Sequence, residues 1–169
     1  KDVTFVEQGG TVEISAPVTL SGTVTLDGGT CSAAVTVAAD SKVRGTGTIS
    51  GALTLNSGAK IEVYSLAEPL KLTGNYPATI TMSTMKGLEY PATIVPILSI
   101  ANATEATRPD VTLENLPGTR KLEWNSTVLN VVPQDALSLE TTVKATLSGD
   151  ANWSALNWTD SNGVGINPD

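Results

Sequence analysis

Two tryptophans five residues apart, Trp153 and Trp158, are the side chains in this 169-residue sequence best suited to hold a ligand. Flat indole faces beside asparagine and threonine can stack on a sugar ring, although large rings of this kind also serve to plug the open end of a narrow core. Carboxylate pairs for glycoside hydrolysis need about 5–10 Å across a cleft. Glu7 with Glu13 and Glu114 with Glu123 are the available pairs, and no sequence feature builds a cleft around either. Lys42, Arg44, Lys60, Glu62 and Lys71 fall at outward positions and read as a dispersed, solvated set, with Lys42, Lys60 and Glu62 able to form ion pairs across neighbouring strands. Histidine is absent, which removes Ser-His-Asp and Cys-His nucleophile systems and the commonest metal ligand. The single cysteine, Cys31, allows no internal disulfide and reads as a small buried hydrophobe. Asp27-Gly28-Gly29 is a turn rather than a calcium repeat. The expectation is therefore no catalytic residue, no cofactor and no metal.

The elements that must carry these residues announce themselves by a stride. Val18-Thr19-Leu20, Val35-Thr36-Val37, Leu53-Thr54-Leu55 and Leu70-Lys71-Leu72 begin 17, 18 and 17 residues apart. A second series, Leu26, Val43, Ile61, Val63 and Ile80, and a third, Ile14, Cys31, Ile49 and Leu66, keep the same spacing, as do Gly10, Gly28 and Gly45. Three apolar series at one period imply three strands per turn with a corner after each. Alternation within each triplet sends the aliphatic residues inward and the middle residue outward. Parallel crossovers are right-handed in about 98% of cases. The fold class expected is thus all-β: a right-handed, three-faced parallel β-helix of about 17–18 residues per turn, with five or six turns. Helices are disfavoured because apolar spacing at i, i+3, i+4 is missing.

Past Met85 the period loosens. Leu88-Glu89-Tyr90 and Leu98-Ser99-Ile100 stand 18 residues after Leu70-Lys71-Leu72 and Ile80-Thr81-Met82 and read as continuing strands. Pro77, Pro91 and Pro96 belong at strand ends or an edge. Residues 101–109 read as an excursion, and Leu122–Val132 as a hairpin turning through Asn125-Ser126-Thr127 and covering the last open rung. Residues 1–133 form the expected β-helix domain with its hairpin. Residues 134–169 form an irregular tail with the two tryptophans, or the start of a next unit, in which Thr141–Leu147 reads as one more strand. Specificity is expected where the period breaks, after Met85 and around Trp153.

The run from Gly45-Thr46-Gly47-Thr48-Ile49 through Gly51-Ala52-Leu53-Thr54-Leu55 to Gly58-Ala59-Lys60-Ile61-Glu62-Val63 resembles the autotransporter-associated β-strand repeat, or passenger-associated transport repeat. Asn115-Leu116-Pro117-Gly118 with the hairpin resembles the close of such a unit, and Trp153 with Asn157-Trp158 its opening. The resemblance implies a β-helix in the secreted or surface-exposed part of a large bacterial protein. The opening Lys1-Asp2-Val3 and the late tryptophan element imply a piece of a tandem array, cut out of phase.

Charge narrows the partners. The net charge of −7 and the lack of any Lys/Arg run argue against a nucleic-acid groove. No stretch approaches the ~18 consecutive apolar residues of a membrane span. The function expected is a non-catalytic structural segment, a stalk or spacer or part of an adhesin, at the bacterial cell surface or outside the cell. Its expected partners are neighbouring repeat units and possible host glycans or surface proteins. The alternatives are a carbohydrate- or host-ligand-binding module and an accessory domain of a secreted enzyme.

Overall fold

Val, Leu, Ile and Thr alternate through the first half of the chain, so short extended segments send aliphatic side chains one way and hydroxyls the other. The computed structural model describes residues 3–6, 16–134, 144–146, 157–159 and 165–166, with residues 3–6 and those beyond 134 described by backbone pairing. Among the described residues there is no helix. The chain divides into two compact units, Lys1–Pro133 and Gln134–Asp169.

In the first unit, strands arrive in threes. After β1 (Val3–Val6), one turn runs through β2 (Val18–Leu20), β3 (Thr23–Asp27) and β4 (Thr30–Cys31). The next runs through β5 (Val35–Val37), β6 (Lys42–Gly45) and β7 (Thr48–Ile49), and the next through β8 (Leu53–Leu55), β9 (Lys60–Val63) and β10 (Leu70–Leu72). Then come β11 (Thr79–Thr84), β12 (Val95–Ile100), β13 (Asp110–Leu113), and a hairpin of β14 (Arg120–Asn125) and β15 (Val128–Pro133). Strands from successive turns lie parallel on one another in three sheets. The first is β2-β5-β8, the second β1-β3-β6-β9-β11-β13, and the third β4-β7-β10-β12 with β15 and β14 added antiparallel. This is an all-β parallel solenoid of about four turns, shorter than the five or six expected.

Inward residues form continuous columns. On the second sheet Val24, Val43, Ile61 and Met82 follow one another, and on the third Cys31, Ile49, Leu72 and Ile100. Ile49, Ile61, Leu72, Met82 and Ile100 are fully buried, and free Cys31 is buried as the small hydrophobe expected. Stacking aliphatic on aliphatic removes each from water without a large ring, which is how a chain so poor in aromatics fills its core.

The columns differ from the expected series in register. Val18, Val35 and Leu53 do stack, but Leu70-Lys71-Leu72 lies on the third sheet, against Thr48-Ile49 and Leu98-Ser99-Ile100. Leu26 faces Gly45 rather than Val43, and Val63 faces Thr84 rather than Ile80. Leu66 belongs to no strand, and Ile14 and Gly10 lie outside the described residues. A slip of two residues preserves which side chains face the core, so apolar alternation does not detect it. Corner length sets it instead. The corner between β6 and β7 is residues 46–47, whereas that between β9 and β10 is 64–69, and this lengthening leaves Leu70 on the third sheet, short of a return to the first. Leu88-Glu89-Tyr90 is likewise not a strand but part of the long connection 85–94.

One corner is held by absence of side chain. A Cβ at Gly51 would overlap the backbone carbonyl of Ala33, and one at Gly74 would meet the carbonyls of Ser50 and Gly51. Successive corners there stack backbone on backbone, so the column reads Ala33, Gly51, Gly74. Pro96 sits in β12 where the pairing with β15 shifts between Pro96 and Leu98, and the irregularity buries both Ile97 and Leu98. The hairpin turns through Ser126 and Thr127, with Ser126 at φ 54°, and β15 closes the third sheet on β12. Residues 101–109 form no strand, as expected of an excursion.

In the second unit β16 (Lys144–Thr146), β17 (Asn157–Thr159) and β18 (Gly165–Ile166) form a small antiparallel sheet. The rest of the expected strand 141–147 lies outside the described residues.

Candidate functional site

Trp153, one half of the expected sugar-stacking pair, lies outside the described residues. Trp158 is in β17, where its backbone pairs with Ala145 and Ile166. Glu7 and Glu13 also lie outside the described residues. Glu114 and Glu123 are each held by a different lysine: Glu114 by Lys60 at 2.8 Å and Glu123 by Lys121 at 3.1 Å. Among the described residues no group of three or more carboxylate, cysteine or histidine side chains is placed to hold a metal ion.

The outward charges of the second sheet are concentrated rather than dispersed. Register puts Thr25, Arg44, Glu62 and Ser83 in one row, with Lys42 beside Lys60 in the next. Glu62 takes Lys42 at 2.6 Å on one oxygen and Arg44 at 2.9 Å on the other. Arg44 also donates from Nε to Thr25 Oγ1 at 2.9 Å and lies 5.4 Å from the centre of the Tyr64 ring. Lys60 has Lys42 as its direct neighbour and pairs not with Glu62 but with Glu114, reaching past β11. Only Lys71 stands apart, on the third sheet. The expected Lys42–Glu62 pair is present, and Arg44–Glu62 follows from the pairing of Val43 with Ile61 that the stride also gives, whereas Lys60–Glu114 spans two strands to the residue after β13.

Glu62 is only 6% exposed although it faces outward, because the Lys42 and Arg44 side chains lie over it. Burial is the largest influence and opposes ionisation, yet the hydrogen bonds and attraction from Lys42 and Arg44 outweigh it. The net result holds the carboxyl below its ordinary 4.5. A depressed carboxylate contributes stability that is present above the unfolded-state pKa and lost as pH falls through the folded-state value. Glu62→Gln is therefore expected to cost about 1–2 kcal/mol at pH 7, less than a fully buried pair because both cations reach solvent. Urea unfolding should show the variant and the parent converging below about pH 4. A constant gap from pH 7 to pH 3 would contradict this.

A second polar constellation occupies the place where the period breaks. Thr84 at the end of β11, Leu88, Glu89 and Tyr90 from the following connection, Asn115, Pro117 and Thr119 from the β13–β14 connection, and Arg120 at the start of β14 line a cleft of about 300 Å³. The Tyr90 hydroxyl lies 2.8 Å from Thr84 Oγ1, and its ring packs on the core. Burial raises the Tyr90 phenol above its ordinary pKa, against a smaller opposing effect of Thr84, so it stays protonated. Arg120 donates from Nη2 to the Tyr90 carbonyl at 3.2 Å, tying the start of β14 to the connection after β11. Its Nη1 is shut off from water and meets no acceptor. Nothing in the spacing of Thr84, Tyr90 and Arg120 signals the cleft, and the only hint is the loss of period after Met85.

On the hairpin, Arg108 lies 5.4 Å from the Trp124 ring centre and donates to the Ser126 carbonyl at 2.7 Å, fastening the excursion 101–109 to the turn. No helix among the described residues is long and apolar enough to cross a membrane. No family model, curated protein or solved structure matches this chain.

Proposed function

We propose that this chain is a non-catalytic structural segment, a stalk or spacer, of a bacterial extracellular or cell-surface protein of the autotransporter-repeat kind. The observation that carries this reading is the use of the outward charges. Lys42, Arg44, Lys60, Glu62 and Glu114 spend their charge on one another across turns of the second sheet, as reinforcement. The six strands of that sheet span about 24 Å at ~4.8 Å per strand. Such a stack transmits force along its axis through backbone ladders and holds an adjoining domain at a set distance. Neighbouring repeat units and host surface molecules are the partners this role entails.

The test is excision. Removing residues 1–169 from the parent protein, with the ends rejoined, is expected to shorten its projection from the cell and leave any ligand binding or catalysis of the remaining domains unchanged. Loss of a chemical activity on excision would assign the segment to an enzyme instead. Flanking sequence without further repeat units would remove the tandem-array part of the reading.

A further inference from the structure

The cleft at Arg120 is the polar feature that the spacer role leaves unused. Arg108 and Arg120 each carry a guanidinium nitrogen that is buried without an acceptor. Arg108 is covered by Trp124 and anchored on the hairpin turn. Arg120 differs in lining an open cleft, and like Arg108 it forms no ion pair among the described residues. The outward cations of the second sheet, Lys42, Arg44 and Lys60, all have a carboxylate. Arg120 has no carboxylate partner of its own among the described residues, and an acid group entering the cleft supplies one to its guanidinium. The acceptor that best matches its planar fork of donors is a carboxylate.

The remaining walls restrict what the carboxylate is attached to. Thr84, Tyr90, Asn115 and Thr119 offer hydroxyls and an amide, Glu89 accepts hydrogen bonds, and Leu88 and Pro117 supply apolar surface. A volume of about 300 Å³ is at the small end of ligand sites, the size for one ring rather than a chain. Glu89 repels any negative charge in the cleft, so a ligand with one acid group, offset by Arg120, fits better than one with two.

We propose that this cleft binds a single-ring hydroxylated carboxylic acid, the acid group on the Arg120 guanidinium and the hydroxyls against Tyr90, Thr119 and Glu89. The inference is independent of the spacer reading: a stalk that carries such a site remains a stalk, and failure of either leaves the other standing.

The experiment is a titration of the full ¹⁵N-labelled chain with sodium glucuronate, with glucose, acetate, inorganic phosphate and sodium chloride run at matched ionic strength. Glucuronate is expected to give saturable shifts at the amides of residues 84–90 and 115–120, at least tenfold tighter than glucose or acetate. Arg120→Gln should abolish the saturation. Tyr90→Phe, which keeps the ring in the core, should retain the fold and weaken binding several-fold, so the test survives if the Arg120 variant fails to fold. The proposal is overturned by absence of saturable shifts, by equal responses to glucuronate and glucose, by phosphate or chloride matching glucuronate, or by a folded Arg120→Gln that binds undiminished.

Discussion

Leu72→Ala is expected to lower the unfolding free energy by about 3 kcal/mol, the largest effect of any single truncation in the core. Leu72 is 1% exposed and stands mid-column on the third sheet, with Ile49 beneath and Ile100 above. Removing its isobutyl group takes away its transfer energy and leaves a void that two backbone-paired neighbours cannot close. Both neighbours are fixed by ladders on either side, so relaxation is limited, and about 3 kcal/mol lies within the usual range of about 2–5 kcal/mol for a buried leucine. Leu122→Ala is the comparison, since Leu122 is half-buried on the outermost strand β14 and should cost about 1 kcal/mol. Urea unfolding followed by far-ultraviolet circular dichroism, at an unchanged slope, measures both. Equal losses would mean that the column is not the centre of the core.

Gly51→Val should be at least as damaging, by the opposite route. Here nothing is lost; a side chain is forced into the carbonyl of Ala33, which is backbone and cannot rotate away. Overpacking ordinarily costs 1–3 kcal/mol where side chains can shift, and a rigid corner puts this variant at about 3 kcal/mol or above. Gly118→Ala is the control, because a Cβ there meets nothing within 4 Å and should move stability by less than about 0.5 kcal/mol. If the two glycine variants unfold at the same urea concentration, the corners are not stacked as tightly as their backbones indicate.

The two effects mark what was legible in the chain and what was not. Inside and outside were legible, because Val35-Thr36-Val37 and Leu53-Thr54-Leu55 alternate and only one face of a strand can meet the core. The winding and the closing hairpin followed from the stride and from Leu122–Val132. Register was not legible past the second turn. Leu70 is 17 residues beyond Leu53 by coincidence, because the corner 64–69, four residues longer than the corner 46–47, leaves the chain still on the third sheet at that point. Ion pairing is legible only where register is: Val43 on Ile61 puts Arg44 opposite Glu62, whereas Lys60 meeting Glu114 depends on where β13 falls, which no period gives. The cleft at Arg120 is harder still, since its walls come mostly from two connections separated by β12 and β13, and connections carry no period to count.

The antiparallel closure of the third sheet bears on how such a unit could be extended. Strand β15 runs against β12, and β14 ends the sheet with the Lys121–Glu123 pair on its exposed side. The second sheet ends on β13, still in the original direction. Because β14 in turn runs against β15, it recovers the direction of β12, and the second and third sheets both end on a strand that runs with the original winding. The reversal is confined to β15, so the hairpin adds a crossed rung without turning the edge around. Discouragement of a further strand on the third sheet therefore rests on side chains such as Lys121 and Glu123 rather than on polarity.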